Sequence, residues 1–160
     1  MEENEDHLND ELYGHKDIAD SFYDEAERRI KEVQVKIDEW NDVLEERGVA
    51  ELSNLSVRGE LDVDIVFETI ERELKNFKCT TKMMSHRPTQ LENHKLYEKL
   101  RRRFSSVKEQ HASIVYRATV YQSKRLKALQ RFQANQMNEK DMLELTDIGK
   151  RTVESDGKSS

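Results

Sequence analysis

The sequence predicts an all-α protein: an elongated, antiparallel up-down-up bundle of three helices, with a disordered acidic N-terminal leader and a polar C-terminal tail. Three stretches place apolar residues at spacings of three and four, which is typical of a helix with one buried face. Charged residues make up 38% of the chain and hydrophobic residues 35%, with one Pro and five Gly, which favours a helical protein with a narrow core. Residues 94–133 contain no Gly or Pro, and a single helix of that length would be about 60 Å long.

Composition also excludes several classes of protein. No stretch approaches the roughly 18 uninterrupted apolar residues of a membrane span, and the acidic start MEENEDHLND is unlike a secretory signal. Cys79 is the single cysteine, which rules out an internal disulfide and fits a reducing compartment. We therefore expect a cytoplasmic chain, or one at the cytosolic face of a membrane if it belongs to a longer anchored protein.

The first predicted elements are the leader and helix A. Residues 1–16 are acidic and show no sustained periodicity, which predicts a disordered leader. Helix A is predicted over residues 17–47 and should end near Gly48. Its apolar stripe consists of Phe22, Ala26, Ile30, Val33, Ile37, Trp40 and Leu44. Trp40 lies within this stripe, so we predict that it is buried in the core.

Helix B is predicted over residues 61–86, after a polar connection with at most a loose turn of helix. It should end near His86, because Pro88 disfavours helical geometry in Arg87. Its stripe consists of Val63, Val66, Phe67, Ile70, Leu74, Phe77, Thr81 and Met84.

Helix C is predicted over residues 93–136, and a polar tail over residues 137–160. The stripe of helix C consists of Leu96, Leu100, Phe104, Val107, His111, Ile114, Ala118 and Tyr121. A straight helix drifts by about 20° per heptad, so the buried line should slide to Leu126 and Leu129, with Arg125 at its edge. In the tail, a small apolar cluster could form a short helix: Met142, Leu143, Leu145 and Ile148.

The chain shows no residue pattern typical of catalysis, a metal site or a cofactor site. Its five histidines are scattered, and none form a pair at the spacing that places two metal ligands on one helical face. His111 falls in the stripe of helix C, which predicts a core or boundary histidine with a bonded ring nitrogen. Cys79 lies opposite the stripe of helix B, and no histidine base is beside it in the sequence. We therefore predict that the protein is not an enzyme and uses no cofactor.

Charge is distributed unevenly along the chain. Residues 1–47 carry 17 acidic and 6 basic side chains, whereas residues 94–132 carry 2 acidic and 11 basic ones. Either these regions lie side by side and offset each other, or part of the basic face awaits an acidic partner. The run RRRF at residues 101–104 could bind the phosphates of a nucleic acid or of a phosphoinositide headgroup. No DNA-reading motif surrounds it, and the net charge of −6 disfavours a nucleic acid.

Several residues are predicted to face away from the stripes, at 100° per helical residue. On helix B these are Leu61, Ile65, Cys79 and Met83. A groove edged by helices B and C could receive a fourth amphipathic helix. The candidate partner-binding residues are Arg102, Tyr116, Val120, Lys127, Arg131, Ile65 and Met83.

Longer sequence segments point to a known family. Helix A begins with DSFYDEAERRIKEVQVKIDEW, helix B ends with KNFKCTTKMMSHRP, and helix C contains LRRRFSSVKEQHASIVYRATVYQSKRLKALQRFQ. In their order and approximate length, residues 17–136 resemble the N-terminal regulatory domain of syntaxins, the Habc three-helix bundle of Qa-type SNARE proteins. His111 departs from the family pattern, which commonly has Tyr there. A syntaxin would also continue into a heptad segment and a membrane anchor.

The resemblance implies a regulatory coiled-coil domain in vesicle-mediated transport, membrane fusion and exocytosis. Such a domain binds a SNARE helix, its own or a cognate one, and a Sec1/Munc18-type protein. Two alternatives remain open. One is a structural scaffolding module of the spectrin-repeat type, for which Trp40 in helix A is suggestive. The other is a basic face of helix C that docks on anionic lipid.

Overall fold

A computed structural model describes the backbone of residues 2–83, 87–134 and 139–150, and the side chains of residues 17–83, 90–134 and 143–148. Within these ranges the protein is helical and contains no strand, which confirms the all-α prediction. The helices are α1 (Glu2–Arg47), α2 (Val49–Val57), α3 (Asp64–Lys82), α4 (Arg87–Gln133) and α5 (Glu139–Lys150).

The predicted apolar stripes form most of the core. In α1, the residues that are at most 6% exposed include Ala26, Ile30, Val33, Ile37, Trp40 and Leu44, and Phe22 is half-buried. In α3, the buried residues are Ile70, Leu74, Phe77 and Thr81. In α4, they include Leu100, Phe104, Val107, Ile114, Ala118 and Tyr121. Met84 lies outside the described residues. A period of 3.6 was therefore sufficient to find the buried face of each long helix.

The chain divides into two compact units. Unit 1 consists of Met1–Gln34 and Val63–Lys108, and unit 2 consists of Val35–Asp62 and Glu109–Ser160. Each unit combines residues of α1 and α4 with residues of one or more other helices.

Aromatic side chains from three helices meet in unit 1. The ring centroids of Tyr23 in α1 and Phe77 in α3 are 5.5 Å apart. Phe67 in α3 and Phe104 in α4 are 5.7 Å apart, in the edge-to-face geometry that aromatic quadrupoles favour. Burial raises the pKa of Tyr23, and the neighbouring Glu27 carboxylate raises it further. These contacts join α1, α3 and α4 within the unit.

Unit 2 is held together by mixed apolar and polar contacts. The Trp40 ring lies 6.1 Å from the ring of His111, and Gln122 Nε2 donates a hydrogen bond of 3.2 Å to the carbonyl of Ser53 in α2. His111 Nε2 bonds the carbonyl oxygen of Leu61. His111 is thus a half-buried boundary residue with a bonded ring nitrogen, as predicted. Helix α2 also contacts α5.

Leu61 corrects one sequence-based prediction, since it was expected to face away from the stripe of helix B. It is 3% exposed. The reason is that Leu61 precedes α3, which begins at Asp64, so helical phase does not determine its direction.

Two glycines set the bounds of α2. Gly48 separates α1 from α2 with φ 88°, and Gly59 follows α2 with φ 77°. The end of α2 is a Schellman motif, because Gly59 N–H donates to Ser56 O and Glu60 N–H donates to Leu55 O, both at 3.0 Å. The connection predicted as a loose turn is therefore a helix of 9 residues.

Other helix bounds also differ from those predicted. The backbone of residues 2–16, predicted as a disordered leader, belongs to α1. This segment has no Pro and is rich in acidic residues, which are favourable near a helix N-terminus. Helix α4 begins at Arg87 instead of residue 93, because Pro88 is tolerated in a first helical turn, where its missing N–H is not needed. Helix α5 lies within the predicted tail, in which a short helix was considered possible. Residues 151–160 of the tail lie outside the described residues.

Candidate functional site

The candidate site lies on α4 in unit 2, over the segment between Gln110 and Gln133. This segment has no Gly or Pro, so nothing in it interrupts the helix. It carries no acidic side chain and five basic ones, which are Arg117, Lys124, Arg125, Lys127 and Arg131. Arg117 is half-buried and the other four are exposed. We call this segment, with the exposed apolar residues described below, the basic segment of α4.

The basic side chains of this segment form no ion pair with any residue that the structure describes. Over that part of the chain, α4 is joined to other helices by two ion pairs, Arg103 to Glu27 at 3.4 Å and Lys108 to Glu71 at 3.2 Å. Both pairs lie in unit 1.

Glu25, Glu27 and Glu32 of α1 form ion pairs with basic side chains of α1 itself. Arg28 Nη2 lies 2.8 Å from Glu25 Oε1 and Arg28 Nη1 lies 2.7 Å from Glu32 Oε1, while Arg29 Nε approaches Glu25 Oε1 at 3.0 Å. The hydrogen bond from Arg28 is the main reason why the pKa of Glu25 is lowered. Pairs three and four residues apart account for these contacts. None of these ion pairs involves the basic segment of α4.

Three large apolar side chains near the end of α4 are exposed, which corrects the predicted course of the stripe. Leu126, Leu129 and Phe132 have 57%, 42% and 57% of their surface exposed. The stripe was expected to slide to Leu126 and Leu129, but Ala128, one heptad after Tyr121, is the buried residue. Burial requires a covering surface, and over the last turns of α4 that surface reaches Ala128 but not Leu126, Leu129 or Phe132. Arg125 is exposed.

The predicted partner-binding residues are divided between the two units. Arg102, Ile65 and Met83 belong to unit 1. The remaining four belong to unit 2: Tyr116, Val120, Lys127 and Arg131.

Six of these seven residues are exposed and one is half-buried. Ile65, Met83 and Tyr116 are 77%, 68% and 69% exposed, and the exposed set also includes Arg102, Lys127 and Arg131. Val120 is half-buried. The four unit 2 residues fall within about 60° of one another around α4, at 100° per residue. They form one face of the basic segment, while Ile65 lies on α3 and Met83 directly follows the last residue of α3.

Sequence reasoning missed Leu126, Leu129 and Phe132 as exposed residues. No signal in the sequence marks their exposure, because helical phase gives the direction of a side chain but not the surface that covers it.

The three arginines of RRRF have different surroundings. Arg101 lies 4.0 Å from Glu98, Arg103 pairs with Glu27, and the Phe104 side chain is buried. Arg102 is exposed and has no ion pair with a described residue. Successive residues point about 100° apart on a helix, so a run of three arginines cannot form one phosphate-binding surface.

Among the side chains that the structure describes, no group of three or more His, Cys, Asp and Glu residues is arranged to hold a metal ion. None of the described helices combines the length and the apolar character required to cross a membrane.

No family model, curated protein or solved structure matches this chain.

Proposed function

We propose that the protein is a syntaxin-like regulatory domain of vesicle trafficking, an up-down-up three-helix bundle that binds an acidic amphipathic helix on the basic segment of α4. The trafficking context rests on the resemblance of residues 17–136 to the regulatory domain of syntaxins. The binding surface rests on one observation. Exposed Tyr116 shares one face of α4 with Lys127 and Arg131, and this stretch of helix carries five basic side chains without a described ion pair.

This combination suits an amphipathic helix. The exposed Tyr116 ring gains stability when a second apolar face covers it, because that removes apolar surface from water. Lys127 and Arg131 on the same face attract a partner with acidic flanks and oppose a basic one. The partner would be a SNARE helix, from the protein itself or from a cognate chain, and a Sec1/Munc18-type protein could occupy the same surface. A SNARE helix held there cannot join a fusion complex, so the domain would act as a competitor.

The test is a calorimetric titration of the full chain with an acidic SNARE-helix peptide and with a Sec1/Munc18-type protein. We expect binding that weakens tenfold or more, as a rough estimate, in a variant carrying Lys127→Glu and Arg131→Glu, since each reversed charge would repel the peptide. A second variant with Tyr116→Ser should lose affinity without a change in net charge, because Tyr116 is exposed on the same face as Lys127 and Arg131.

The matched control carries Lys36→Glu and Arg47→Glu, which change the charge by the same amount at exposed positions of α1. It should bind like the parent chain. The proposal is wrong if neither partner binds, or if the control weakens binding as much as the α4 variant does. Self-association into a dimer in light scattering, without binding of either partner, would favour the spectrin-type scaffold instead.

A further inference from the structure

A second basic surface lies in unit 1, where α3 and α4 are adjacent. Lys78 Nζ in α3 stands 5.2 Å from the ring centroid of Tyr97 in α4, which brings basic side chains of the two helices together. One surface cleft is lined by Lys78 and Tyr97, and a second is lined by Lys95 and Lys99. His94 lines both clefts. We call the surface the basic cluster, and it consists of Lys78, Lys82, His94, Lys95, Lys99 and Arg102.

The charge of this region is strongly one-sided in a chain whose net charge is −6. Residues 75–83 carry three basic and no acidic side chains, and residues 90–103 carry five basic and two acidic ones. One of those two acids, Glu98, already lies 4.0 Å from Arg101. The basic cluster can therefore attract an anion.

None of the six members of the cluster forms an ion pair with any residue that the structure describes. Lys95 and Lys99 are four residues apart and Lys99 and Arg102 are three apart, so like charges are neighbours on one helical face. Such neighbours repel, and Glu98, which lines the same cleft, offsets only part of that repulsion. A bound polyanion would offset the rest.

The spacing fits several phosphates on one small molecule. Lys95 and Arg102 are separated by about 10 Å along the helix axis, at 1.5 Å per residue. Lysine ammonium groups meet phosphate as mobile point charges, whereas the planar guanidinium of Arg102 can donate two parallel hydrogen bonds to one phosphate. Lys78 and Lys82 approach the same region from α3. The cluster can thus surround a compact ligand from two helices.

We propose that the basic cluster binds a ligand with two or more phosphate groups close together on a small ring, such as a phosphorylated inositol, either free or as a membrane lipid headgroup. This site goes beyond the proposed helix binding, and apart from Arg102 it uses none of the residues predicted to bind a partner. The two proposals can therefore fail separately.

The experiment measures binding of the full chain to inositol 1,4,5-trisphosphate by calorimetry and to vesicles by cosedimentation. The vesicles consist of phosphatidylcholine alone, or of phosphatidylcholine with phosphatidylinositol 4,5-bisphosphate. A variant carrying Lys95→Gln, Lys99→Gln and Arg102→Gln should bind the trisphosphate roughly a hundredfold more weakly, at about fivefold for each basic side chain removed. Since all three side chains are exposed, its circular dichroism should match that of the parent chain.

The control triple variant carries Lys36→Gln, Arg47→Gln and Arg58→Gln, which removes the same charge from exposed positions of unit 2. It should bind the trisphosphate like the parent chain. Should the α4 triple variant fail to fold, Lys78→Gln with Lys82→Gln on α3 tests the same cluster, with an expected loss of roughly 25-fold.

Binding to the trisphosphate and to the bisphosphate vesicles supports a lipid headgroup, and binding to the trisphosphate alone supports a free ligand. Three results overturn the proposal: no binding in either arm, equal weakening by the control triple variant, or tighter binding to an oligonucleotide of equal charge. Lys127→Glu with Arg131→Glu should leave trisphosphate binding within a fewfold of the parent, which separates this site from helix binding.

Discussion

Single side chains of the same kind have opposite roles on α3, depending on their angular position. Ile70 is fully buried, whereas Ile65, five residues earlier, is 77% exposed. Five residues correspond to about 500° of rotation, so the two isoleucines point about 140° apart. The two side chains are chemically identical, and they differ in burial alone.

We predict that Ile70→Ala lowers the free energy of unfolding by about 2–5 kcal/mol, because it removes buried methyl groups and leaves a cavity. Ile65→Ala should change it by less than about 0.5 kcal/mol, since its side chain is already in water. Urea denaturation followed by circular dichroism measures both. Equal losses in the two variants would contradict the placement of the α3 core face.

The raised pKa of Tyr23 predicts how stability depends on alkaline pH. Its ordinary pKa is 10.0, and burial, followed by repulsion from Glu27, raises the value in the folded chain. The unfolded chain therefore gives up this proton at a lower pH. The contribution of Tyr23 to stability is complete below the unfolded value and is lost as the pH rises through the folded value.

The measurement compares urea denaturation of the parent chain and of Tyr23→Phe at about pH 8 and about pH 11, on either side of the ordinary tyrosine value. The parent should lose more stability than the variant between the two pH values, because phenylalanine cannot ionise. The other tyrosines are common to both proteins and cancel in the comparison. A parallel decline of both proteins would show that Tyr23 does not carry the effect.

At the scale of elements, glycine conformation decides where α2 ends. Gly59 has φ 77°, a region that side chains with a Cβ rarely adopt, and it supplies one N–H of the Schellman motif. A Cβ built at Gly59 meets no atom within 4 Å. A substitution there is therefore opposed by backbone strain and not by a steric clash.

We predict that Gly59→Ala destabilises the protein by about 1 kcal/mol, and that Gly59→Asn costs less because asparagine tolerates left-handed geometry. Thermal denaturation of the two variants side by side measures the difference. If alanine and asparagine are equally harmful, the cost does not come from backbone conformation.

At the scale of the whole molecule, we expect charge to contribute little to the fold and more to the proposed helix binding. The described ion pairs involve side chains that are at least partly accessible, and because water and salt screen such pairs, each contributes little to stability. The five basic side chains on the basic segment of α4 have none. Added salt should therefore weaken the proposed binding more than it lowers the stability of the fold.

Raising NaCl from roughly 0.05 to 0.5 M should change the free energy of unfolding by no more than about 1 kcal/mol, because the Debye length falls below the separation of most surface charges. Over the same range, affinity for the acidic helix should fall by about tenfold or more. Urea denaturation and calorimetry at the two salt concentrations provide both values. A large loss of stability with unchanged binding would mean that the charges of α1 and α4 stabilise the fold instead.

The sequence was sufficient for the helical class, the buried faces and the exposure of most candidate residues. Trp40, Leu74 and Phe104 are buried as their spacing predicts, because helical periodicity is a local property of the chain. The exposure of Tyr116, Lys127 and Arg131 followed from the same periodicity.

Tertiary structure alone decided which apolar side chains are covered and which charged side chains form ion pairs. Whether Leu129 is buried depends on whether another helix reaches it, and whether Arg102 or Arg103 is paired depends on where Glu27 lies in three dimensions. Leu61 is buried in a connection where helical phase does not apply, next to the ring of His111. The apolar pattern of one helix determines its own preferred buried face, but the extent of burial and the partners of its charges depend on surfaces contributed by distant parts of the chain.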